Sequence, residues 1–277
     1  MERVALVTGA TDGLGRGVAE RLAAAGLSVH LHGRDAGKLE RAVAEIATAT
    51  GNERLIPHRA DLASLAQVRT LARGVEESTS GLHVLVSNAG IGSGRPDATT
   101  RQESEDGYEL RFAVNYLAGF LLIMELLPLL RRSAPARIVE VASLGQAPID
   151  FDDPQIERGY SGTRAYGQSK LAQISFGFEL AERLGPESGV AVTSLHPSTY
   201  MPTKIVIEER GESLDSLADG IEATVRLAIG AEVAGVTGEF FDRQREAAAD
   251  PQAYDPEARR RLWDLSLELT GARDATA

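Results

Sequence analysis

The sequence predicts an α/β fold: one doubly wound domain in which a mostly parallel sheet of seven strands is flanked by helices. Two observations lead to this prediction. Short apolar segments typical of strands alternate along the chain with segments that have the 3.6-residue period of helices. The strand segments are almost continuously apolar, which is typical of parallel strands buried on both faces. Because no linker or repeat interrupts this pattern, residues 1–277 are interpreted as one domain.

The first half of the chain, about residues 1–135, begins with the clearest elements. Its strands are predicted at 4–8, 27–33, within 53–62 and at 83–90, and its helices at 14–25, 38–50, 64–78 and about 107–131. In the first helix Leu14, Val18 and Leu22 share one face, and Gly26 ends it. Ser64 has the residue type of an N-cap for the third helix.

The second half, residues 136–277, continues the alternation. Its strands are predicted at 136–143, 189–197 and 237–242, and its helices at 164–184, 216–229 and 256–269. The apolar, β-branched character of the strands and the amphipathic period of the helices distinguish the two kinds of segment. We expect the helices of both halves to cover the two faces of one sheet.

Composition excludes several classes of function. A formal net charge of −11 and a pI near 5.0 lack the basic surface that nucleic acids or anionic membranes require. The absence of cysteine excludes disulfides, thiolate zinc sites, iron–sulfur clusters and a cysteine nucleophile. His30 and His32 lie on the same side of one predicted strand, but no third ligand is evident near them, so we predict no metal site.

Two segments bear on membranes and location. The opening "MERVALVTGA" passes directly into a strand and lacks the cationic region and long apolar stretch of a signal peptide. The segment "FLLIMELLPLL" is shorter than the roughly 20 residues that span a bilayer, and it contains Glu125 and Pro128. We therefore expect a buried or oligomer-forming helix there, no membrane span, and a cytoplasmic location.

The turn after the first strand, "TGATDGLGRG", indicates a dinucleotide site. In an open parallel sheet, ligands bind beyond the carboxyl ends of the strands. Glycines in such a strand-to-helix turn permit positive φ and let backbone N–H groups approach a pyrophosphate at the positive end of the helix. The candidate contacts are Gly9, Thr11, Asp12, Gly13, Leu14 and Gly15.

The ends of the next strands carry further cofactor candidates. After the second strand, "HGRD" places Arg34 before Asp35. Arginine pairs with a ribose 2′-phosphate and a carboxylate binds the unphosphorylated ribose, so NADP(H) is favoured over NAD(H), with Asp35 as a competitor. Asp61, beside Leu62, is placed either to accept a hydrogen bond from adenine or to cap the next helix. Small residues that let the chain pass close to a cofactor follow the fourth strand: Asn88, Ala89 and Gly90.

These motifs resemble those of the short-chain dehydrogenase/reductase superfamily, whose fold is a Rossmann domain. The matching pieces occur in the family's order over about residues 1–200: "TGATDGLG" at 8–15, "NAG" at 88–90, Asn115 in "FAVNYLAGF", Ser143 in "EVASLG", and "YGQSK" at 166–170. Within the superfamily, "HGRD" and the stretch from "IDFDD" to "YSGTRAYGQSKLAQ" resemble the retinol dehydrogenase-like and carbonyl reductase branch.

The resemblance implies a catalytic tetrad of Asn115, Ser143, Tyr166 and Lys170. A free tyrosine has a pKa near 10, so a phenol that exchanges a proton near neutral pH needs a cation beside its anion. Lys170, one helical turn from Tyr166, supplies that charge, and in the family it also holds the nicotinamide ribose. Ser143 is expected to hydrogen-bond the substrate oxygen. Asn115 is expected to kink its helix and hold a water of the proton relay; the alternative is a buried asparagine satisfied by backbone groups.

The sequence departs from the family pattern after the sixth strand. The family commonly has a proline–glycine pair followed by a threonine that contacts the nicotinamide amide. Here "HPSTYMPTK" has Pro197 followed by Ser198, and Thr199 competes with Thr203 for that contact.

The irregular segment 199–217 is predicted to be a substrate lid that orders on binding. Its side chains Tyr200, Met201, Ile205 and Val206 offer apolar contacts, which favours a hydrophobic carbonyl or alcohol as the substrate. The alternative is a solvent-exposed loop with no role in binding.

The favoured function is an NADP(H)-dependent oxidoreductase that transfers hydride between the nicotinamide and the carbonyl or secondary alcohol of a hydrophobic small molecule. An alternative, a non-catalytic NADP(H) sensor or scaffold on the same fold, would be expected to have lost Tyr166 or Lys170. Sugar-nucleotide epimerases and dehydratases usually have another glycine spacing and a longer substrate domain.

The helices at 107–131 and 164–184 resemble those that pair in dimers and tetramers of the family.

One more tyrosine stands near the proposed acid. Tyr160 is followed four residues later by Arg164, as Tyr166 is followed by Lys170. Because Tyr160 lies between Gly159 and Gly162, before the helix is established, we predict a loop tyrosine that is not catalytic.

Overall fold

The computed structural model describes residues 3–94, 98–202 and 213–276. In this part of the chain, one eight-stranded sheet has the order β3-β2-β1-β4-β5-β6-β7-β8. The strands are β1 (Val4–Val7), β2 (Ser28–Gly33), β3 (Leu55–Arg59), β4 (Val84–Ser87), β5 (Ala136–Val141), β6 (Val190–His196), β7 (Glu239–Asp242) and β8 (Arg245–Glu246). The predicted Rossmann fold with a mostly parallel sheet is confirmed. The predicted count of seven strands is corrected to eight, because β8 folds back antiparallel onto β7.

Helices cover both faces of the sheet. Within the described ranges they are α1 (Gly13–Ala24), α2 (Ala36–Thr50), α3 (Leu65–Ser78), α4 (Ala118–Arg132), α5 (Gly162–Leu184), α6 (Leu217–Ile229) and α7 (Pro256–Thr270). The chain order reverses direction across the sheet between β1 and β4, which are neighbours. In a doubly wound sheet, this reversal opens the ligand crevice at the carboxyl ends of the strands.

Each face of the sheet buries its own apolar cluster. Leu6 and Ile138 belong to the cluster that includes residues of α3, α4, α5 and α7. Val7 and Val139, their neighbours in sequence, belong to the cluster that includes residues of α1, α2 and α6. This division follows from the strand geometry, because successive side chains point to opposite faces.

The helix predicted over 107–131 begins later and in a wider form. A bridge between Glu103 and Glu109, together with Gly107 at a φ of +84°, keeps the preceding segment outside the helix. A π-helical turn, Phe112–Leu117, then leads into α4. Such π-turns insert an extra residue per turn and are frequent at functional sites.

Helices α4 and α5 are enclosed by the rest of the chain. The whole stretch of α5 from Gly167 to Ala181 is buried. On the outer side, the C-terminal helix α7 packs Trp263 against Phe120 of α4 and Phe176 of α5, with ring centroids 5.6 and 5.9 Å apart. This arrangement leaves little of either helix for pairing with a second copy of the chain.

One helix of the described residues, Phe112–Arg132, is long and apolar enough to cross a membrane by length and composition alone. It has 21 residues, which is longer than the apolar segment estimated from the sequence, and 78% of its most apolar window is buried inside the fold. Its apolar character is therefore accounted for by the core.

The two edge strands of the sheet carry exposed proline and charged residues, whereas the central strands are buried. Edge strand β3 contains Pro57, which is exposed. The opposite edge, β8, consists of Arg245 and Glu246, both exposed.

Candidate active site

The turn between β1 and α1 is closely packed. Gly9 and Gly13 have φ values of +66° and +50°, which favour glycine. A Cβ atom on Gly15 would lie 2.3 Å from the Gly9 carbonyl oxygen and 2.4 Å from Asn88 Nδ2. Asp12 caps α1 and accepts the Gly13 N–H at 2.8 Å. The turn thus brings backbone close to the crevice at the positive end of a helix, which fits a pyrophosphate.

Two other predicted residues of this turn have side chains that pack inside the protein. Leu14 is buried, and a Cβ atom on Gly220 of α6 would lie 3.5 Å from its Cδ1. Thr11 packs against the end of β2, where a Cβ atom on Gly33 would lie 2.4 Å from Thr11 Cγ2. A role of Leu14 in cofactor binding is therefore restricted to its backbone.

The ends of β1 and β4 are joined by Thr8 and Asn88. Thr8 Oγ1 accepts the N–H groups of Asn88 and Ala89, each at 2.9 Å. Asn88 Nδ2 donates to the Thr8 carbonyl at 2.8 Å. The Asn88 side chain thus holds the end of β4 against the end of β1, where the strand order reverses and the crevice opens.

His32 links the ends of three strands. Its Nδ1 accepts the Gly9 N–H at 3.2 Å, and its Nε2 lies 3.1 Å from the Ala60 carbonyl, to which it donates. Burial lowers its pKa to about 4, so it is neutral at physiological pH. His30 contacts His58 at 2.8 Å instead of sharing a ligand with His32. Among the described residues, no group of three or more potential metal ligands is present.

The basic residues after β2 and β3 lie close together. Arg34 is exposed at the end of β2, and Arg59 Nε at the end of β3 donates to the Arg34 carbonyl at 3.3 Å. Asp35, the predicted competitor, caps α2 and accepts the Lys38 N–H at 2.8 Å. This hydrogen bond lowers the pKa of Asp35.

Asp61 does not cap α3. The N-cap is Ser64, as expected, although its side chain makes no capping hydrogen bond. Asp61 Oδ1 instead accepts the Ala63 N–H at 3.0 Å, within the loop after β3. The helix-cap interpretation of Asp61 is therefore wrong, and its possible contact with adenine stays a prediction. The side chain of Leu62 is buried in the core.

Ser143 and Tyr166 flank one small space at the end of β5. A Cβ atom on Gly145 would lie 3.4 Å from Ser143 Oγ and 3.6 Å from Tyr166 Cε1. Ser143 Oγ also accepts the Gly145 N–H at 3.0 Å. Tyr166 lies in the second turn of α5, which begins at Gly162 because Ser161 caps it. Ser143 Oγ and the Tyr166 ring therefore border the same space beside Gly145.

Lys170 is fully buried beside Tyr166. Its Nζ lies 5.7 Å from the centroid of the Tyr166 ring, and it donates to the Val141 carbonyl at 2.9 Å and to Gln173 Oε1 at 2.8 Å. Burial lowers the pKa of Lys170 to about 8, and the charge of Glu140 opposes this shift.

Asn115 lies in the π-helical turn, and its side chain is paired within the protein. Its Oδ1 accepts the Ile91 N–H at 2.7 Å, and its Nδ2 donates to the Ile91 carbonyl at 3.1 Å and to Ser169 Oγ at 2.9 Å. A Cβ atom on Gly90 would lie 3.2 Å from Asn115 Oδ1 and 3.7 Å from Lys170 Nζ. The side chain thus matches the alternative of a buried, satisfied asparagine, and the expected irregular helix is also present.

The loop after β6 is held by Asp215, which lies near the C-terminal end of segment 199–217. Asp215 accepts the Ser198 hydroxyl at 2.9 Å and the Thr199 N–H at 2.8 Å. Arg243, after β7, donates to the same carboxylate, and this hydrogen bond is the largest cause that lowers the pKa of Asp215 to about 2. Ser198, which stands in the glycine position of the family after Pro197, therefore uses its hydroxyl to fix this loop.

The predicted lid is described only at its two ends. Thr203, Ile205 and Val206 lie outside the described residues, so the choice between Thr199 and Thr203 stays open. Met201 is 8% exposed and belongs to the core, with its Sδ near Gly220, so it is not a side chain of an exposed loop. Its contact with substrate stays a prediction.

Tyr160 precedes α5 and is part of a separate buried cluster. Its hydroxyl donates to Glu109 Oε1 at 2.8 Å and accepts from Arg111 Nη1 at 2.7 Å. Arg111 also donates to the carbonyl groups of Gly92 and Ser93. The cluster ties the loop after β4 to the segment that leads into α5, so Tyr160 lies in a loop, as predicted. That it has no catalytic role stays a prediction.

Several residues that shape the site were not identified from the sequence. They are Thr8, Glu140, Gln173, Asp215 and the linking role of His32. Glu140 had one available signal, since a carboxylate inside the apolar strand "ARIVEV" is unusual. Thr8, Asp215 and His32 carry no local pattern, because their partners are 15 or more residues away, as for Asp215 and Ser198 with a separation of 17. Gln173 lies only three residues from Lys170, but its second partner, Glu140, is 33 residues away.

Comparison with known proteins agrees with this geometry. The family model described as short chain dehydrogenase matches residues 3–213. Retinol dehydrogenase 13 of Mus musculus is 37% identical over 97% of this chain and 84% of its own length. An uncharacterized protein from Mycobacterium paratuberculosis has a TM-score of 0.76 at 28% identity, covering 98% of this chain and 94% of that one. A short-chain dehydrogenase from Shigella flexneri in complex with NADP has a TM-score of 0.71 at 26% identity, covering 88% and 97%.

The family match spans more than half of the chain, and the same residues build the glycine turn and the serine–tyrosine–lysine arrangement described above. The resemblance to the retinol dehydrogenase-like branch is confirmed by retinol dehydrogenases that are more than 30% identical to this chain in alignments covering 97% of it. The chain is thus a member of the short-chain dehydrogenase family, an oxidoreductase of its retinol dehydrogenase-like branch.

Proposed function

We propose that this protein uses NADP(H) to interconvert a carbonyl and an alcohol on a hydrophobic small molecule, with Tyr166 as the general acid and base. The observation that carries the proposal is the convergence of Tyr166, Ser143 and the buried Lys170 at the end of β5. When bound, the nicotinamide supplies or accepts the hydride.

The residues that would hold the dinucleotide are those that line the crevice at the carboxyl ends of the strands. The N-terminus of α1 and the turn around Gly9 and Gly13 would bind the pyrophosphate through backbone N–H groups. Gly90 leaves space between Asn115 and Lys170, where a larger side chain would intrude. Lys170 would hold the ribose hydroxyls next to the reacting atoms.

In the direction of reduction, the Tyr166 hydroxyl donates its proton to the substrate oxygen. Ser143 Oγ hydrogen-bonds the same oxygen and stabilises the charge that develops on it. The Lys170 ammonium lies close enough to the Tyr166 ring to stabilise the phenolate that remains. In the direction of oxidation, the phenolate removes the proton from the alcohol.

The preference for NADP(H) is supported by the charges at the ends of β2 and β3. Arg34 and Arg59 are two basic residues at this corner, where the Arg59 guanidinium bonds the Arg34 carbonyl, although the chain as a whole has a net charge of −11. Asp35, whose carboxylate would disfavour a 2′-phosphate, is engaged as the cap of α2. The Shigella flexneri relative, which binds NADP, gives further support.

A hydrophobic substrate is supported by apolar side chains at the entrance. Large apolar residues that the described structure leaves exposed include Leu144, next to Ser143, together with Tyr200 and Leu214. Tyr200 and Leu214 are adjacent in space, because the Leu214 N–H donates to the Tyr200 carbonyl at 3.0 Å. The name of the retinol dehydrogenase relative indicates a long apolar alcohol for that protein. We extend the same substrate class to this chain.

The proposal is tested by turnover at the cofactor absorbance. Wild-type protein is assayed with NADPH against aldehydes, ketones and quinones, and with NADP⁺ against apolar alcohols that include retinol. Tyr166→Phe should lower kcat by about 10²- to 10⁴-fold, the usual contribution of a general acid or base. Tyr160→Phe, which removes the other tyrosine hydroxyl of this region, is the matched control and should retain most of the activity. Equal turnover by wild type and Tyr166→Phe would reject the assigned acid.

The cofactor preference is tested by binding. Arg34→Ala should weaken NADPH binding by about tenfold or more, as expected for the loss of a charge-assisted contact, and leave NADH binding nearly unchanged. Arg54→Ala is the control, because Arg54 lies just before the N-terminal end of β3, opposite the end that carries Arg59. An unchanged ratio of the two affinities in Arg34→Ala would remove Arg34 from the explanation.

A further inference from the structure

Glu140 is a buried carboxylate in the centre of the sheet that the proposed mechanism does not use. It is 1% exposed on β5, three residues before Ser143. Ser87 is its partner on the neighbouring strand β4, and the Ser87 hydroxyl lowers the pKa of Glu140 against the effect of burial. A Cβ atom on Gly119 of α4 would lie 2.9 Å from Ser87 Oγ and 4.0 Å from Glu140 Oε2, so the glycine leaves the space that these polar groups occupy.

Gln173 connects this carboxylate to the proposed catalytic lysine. Lys170 Nζ donates to Gln173 Oε1 at 2.8 Å, and Gln173 Nε2 donates to Glu140 Oε2 at 3.1 Å. An ammonium group only donates and a carboxylate only accepts, so the amide of Gln173 has one possible orientation. Together with the bond to the Val141 carbonyl, two of the three ammonium donors of Lys170 are committed to the chain.

We propose that Glu140 is a positioning residue that acts through Gln173 to fix the Lys170 ammonium beside Tyr166 and to balance its charge. The proposal rests on the function proposed above. Glu140 would act in this way without contacting substrate or cofactor.

The charge balance follows from burial. Lys170 and Glu140 are both fully enclosed, and an isolated buried charge is strongly unfavourable. Burial raises the pKa of Glu140 to about 7 and lowers that of Lys170 to about 8, and each group's charge opposes the shift of the other. The ammonium therefore persists to higher pH when Glu140 is ionised.

Two other titratable groups near this pair, Tyr116 and His196, stay neutral. Tyr116, from the π-helical turn, has its pKa raised by burial, and its hydroxyl bonds Ser266. His196, from β6, has its pKa lowered by burial and contacts Thr199. Tyr166, on the same helix as Lys170, is the group whose phenolate the ammonium would stabilise. Of the groups that face Lys170 in the described structure, Glu140 is thus the one that supplies a countercharge.

The test is Glu140→Gln, which keeps an acceptor for Gln173 and a donor or acceptor for Ser87 but removes the charge. Glutamine resembles the protonated carboxyl, so wild type and variant should have the same kcat/KM below pH 6. Above pH 7 the variant's alkaline limb should move to lower pH by about one unit, which lowers kcat/KM by about tenfold near pH 8.5. An unchanged profile, or an equal loss at every pH, would overturn the proposal.

A second measurement needs neither substrate nor cofactor. The chain has three lysines, Lys38, Lys170 and Lys204, so ε-¹³C-lysine NMR gives a spectrum that Lys38→Arg and Lys204→Arg can assign. The titration midpoint of Lys170 should be lower in Glu140→Gln than in wild type. An unchanged midpoint would reject the role of Glu140 even in an active enzyme. A lower midpoint in a protein without turnover would reject the proposed function alone.

Two further variants separate this role from general damage to the helix. Gln173→Leu should lower the Lys170 midpoint as Glu140→Gln does, because it removes the link between the two charges. Gln168→Leu is the matched control, since Gln168 is also a buried amide of α5 but accepts the Asp150 N–H at 3.3 Å. It should lower the stability to urea and leave the Lys170 midpoint in place. A shift of equal size in Gln168→Leu would overturn the assignment.

Discussion

Replacing Gly15 by alanine tests the cofactor turn directly. The new Cβ atom would lie 2.3 Å from the Gly9 carbonyl oxygen and 2.4 Å from Asn88 Nδ2. Ordinary contacts begin near 3.4 Å, so backbone must move by about 1 Å, and overpacking of this kind costs about 1–3 kcal/mol. Alanine regains about 1 kcal/mol through its higher helix propensity, which leaves a net loss of about 0–2 kcal/mol.

The loss of cofactor affinity should exceed this small loss of stability. Gly9 and Asn88 are the groups that must move, and both belong to the crevice where the pyrophosphate would bind. We expect NADPH affinity to fall by about 100-fold or more, since a shift of 1 Å in a preorganised site has effects of that order. Isothermal titration calorimetry measures the affinity, and urea unfolding measures the stability.

Gly17→Ala is the matched control for this substitution. It lies in the same helix, and its Cβ atom would lie 2.2 Å from Ile221 Cδ1, the flexible end of a side chain on α6. We expect a comparable change in stability with near-normal NADPH affinity. If Gly15→Ala bound NADPH as tightly as Gly17→Ala, the close contact at Gly15 would have no role in shaping the site.

Three further predictions follow from packing, burial and the covered helices. Trp263→Ala should destabilise the fold by about 3–5 kcal/mol in urea unfolding, because the ring is 1% exposed between α4 and α5; a loss below 1 kcal/mol would contradict this. Burial lowers the pKa of both His30 and His32 to about 4, so the folded state keeps them neutral while the unfolded chain binds protons below pH 6.5. Stability should therefore be intact above pH 6.5 and fall toward pH 4, by up to about 3 kcal/mol for each histidine, and a flat unfolding free energy between pH 7 and 5 would refute the assignment. Because α4 and α5 are enclosed, light scattering after size exclusion should give a monomer mass near 29.5 kDa, whereas a dimer that dissociates on mutation of α4 would contradict the arrangement.

The sequence was sufficient for the architecture because the information was local. The apolar strands, the amphipathic helices, the glycine turn after β1 and the small residues after β4 are each recognisable within short stretches, and all lie close to the predicted positions. The start of the helix near residue 107 was misplaced, because Gly107 at positive φ and a bridge outside the helix compete with its apolar period.

The candidate site was predicted less completely, since many of its contacts are non-local. The order of Ser143, Tyr166 and Lys170 could be identified from the family resemblance. The link from Lys170 to Glu140 could not, because it depends on β5 and α5 packing together across 33 residues between Gln173 and Glu140. The burial of Met201 was not predicted for a similar reason: its apolar side chain fits an exposed lid as well as a core, and only the packing against Gly220 shows that it is buried.

The two ends of the sheet have a consequence for behaviour at high concentration. An exposed strand edge is a template for a strand of another molecule, and this pairing leads to aggregation. On one side Pro57 removes a backbone N–H from β3, and on the other side β8 is only two residues long, one cationic and one anionic. An incoming strand therefore finds neither a continuous row of donors nor an uncharged partner. The protein should tolerate concentrations at which a seven-stranded sheet that ended at β7, a strand with Phe240 and Phe241 at its centre, would self-associate.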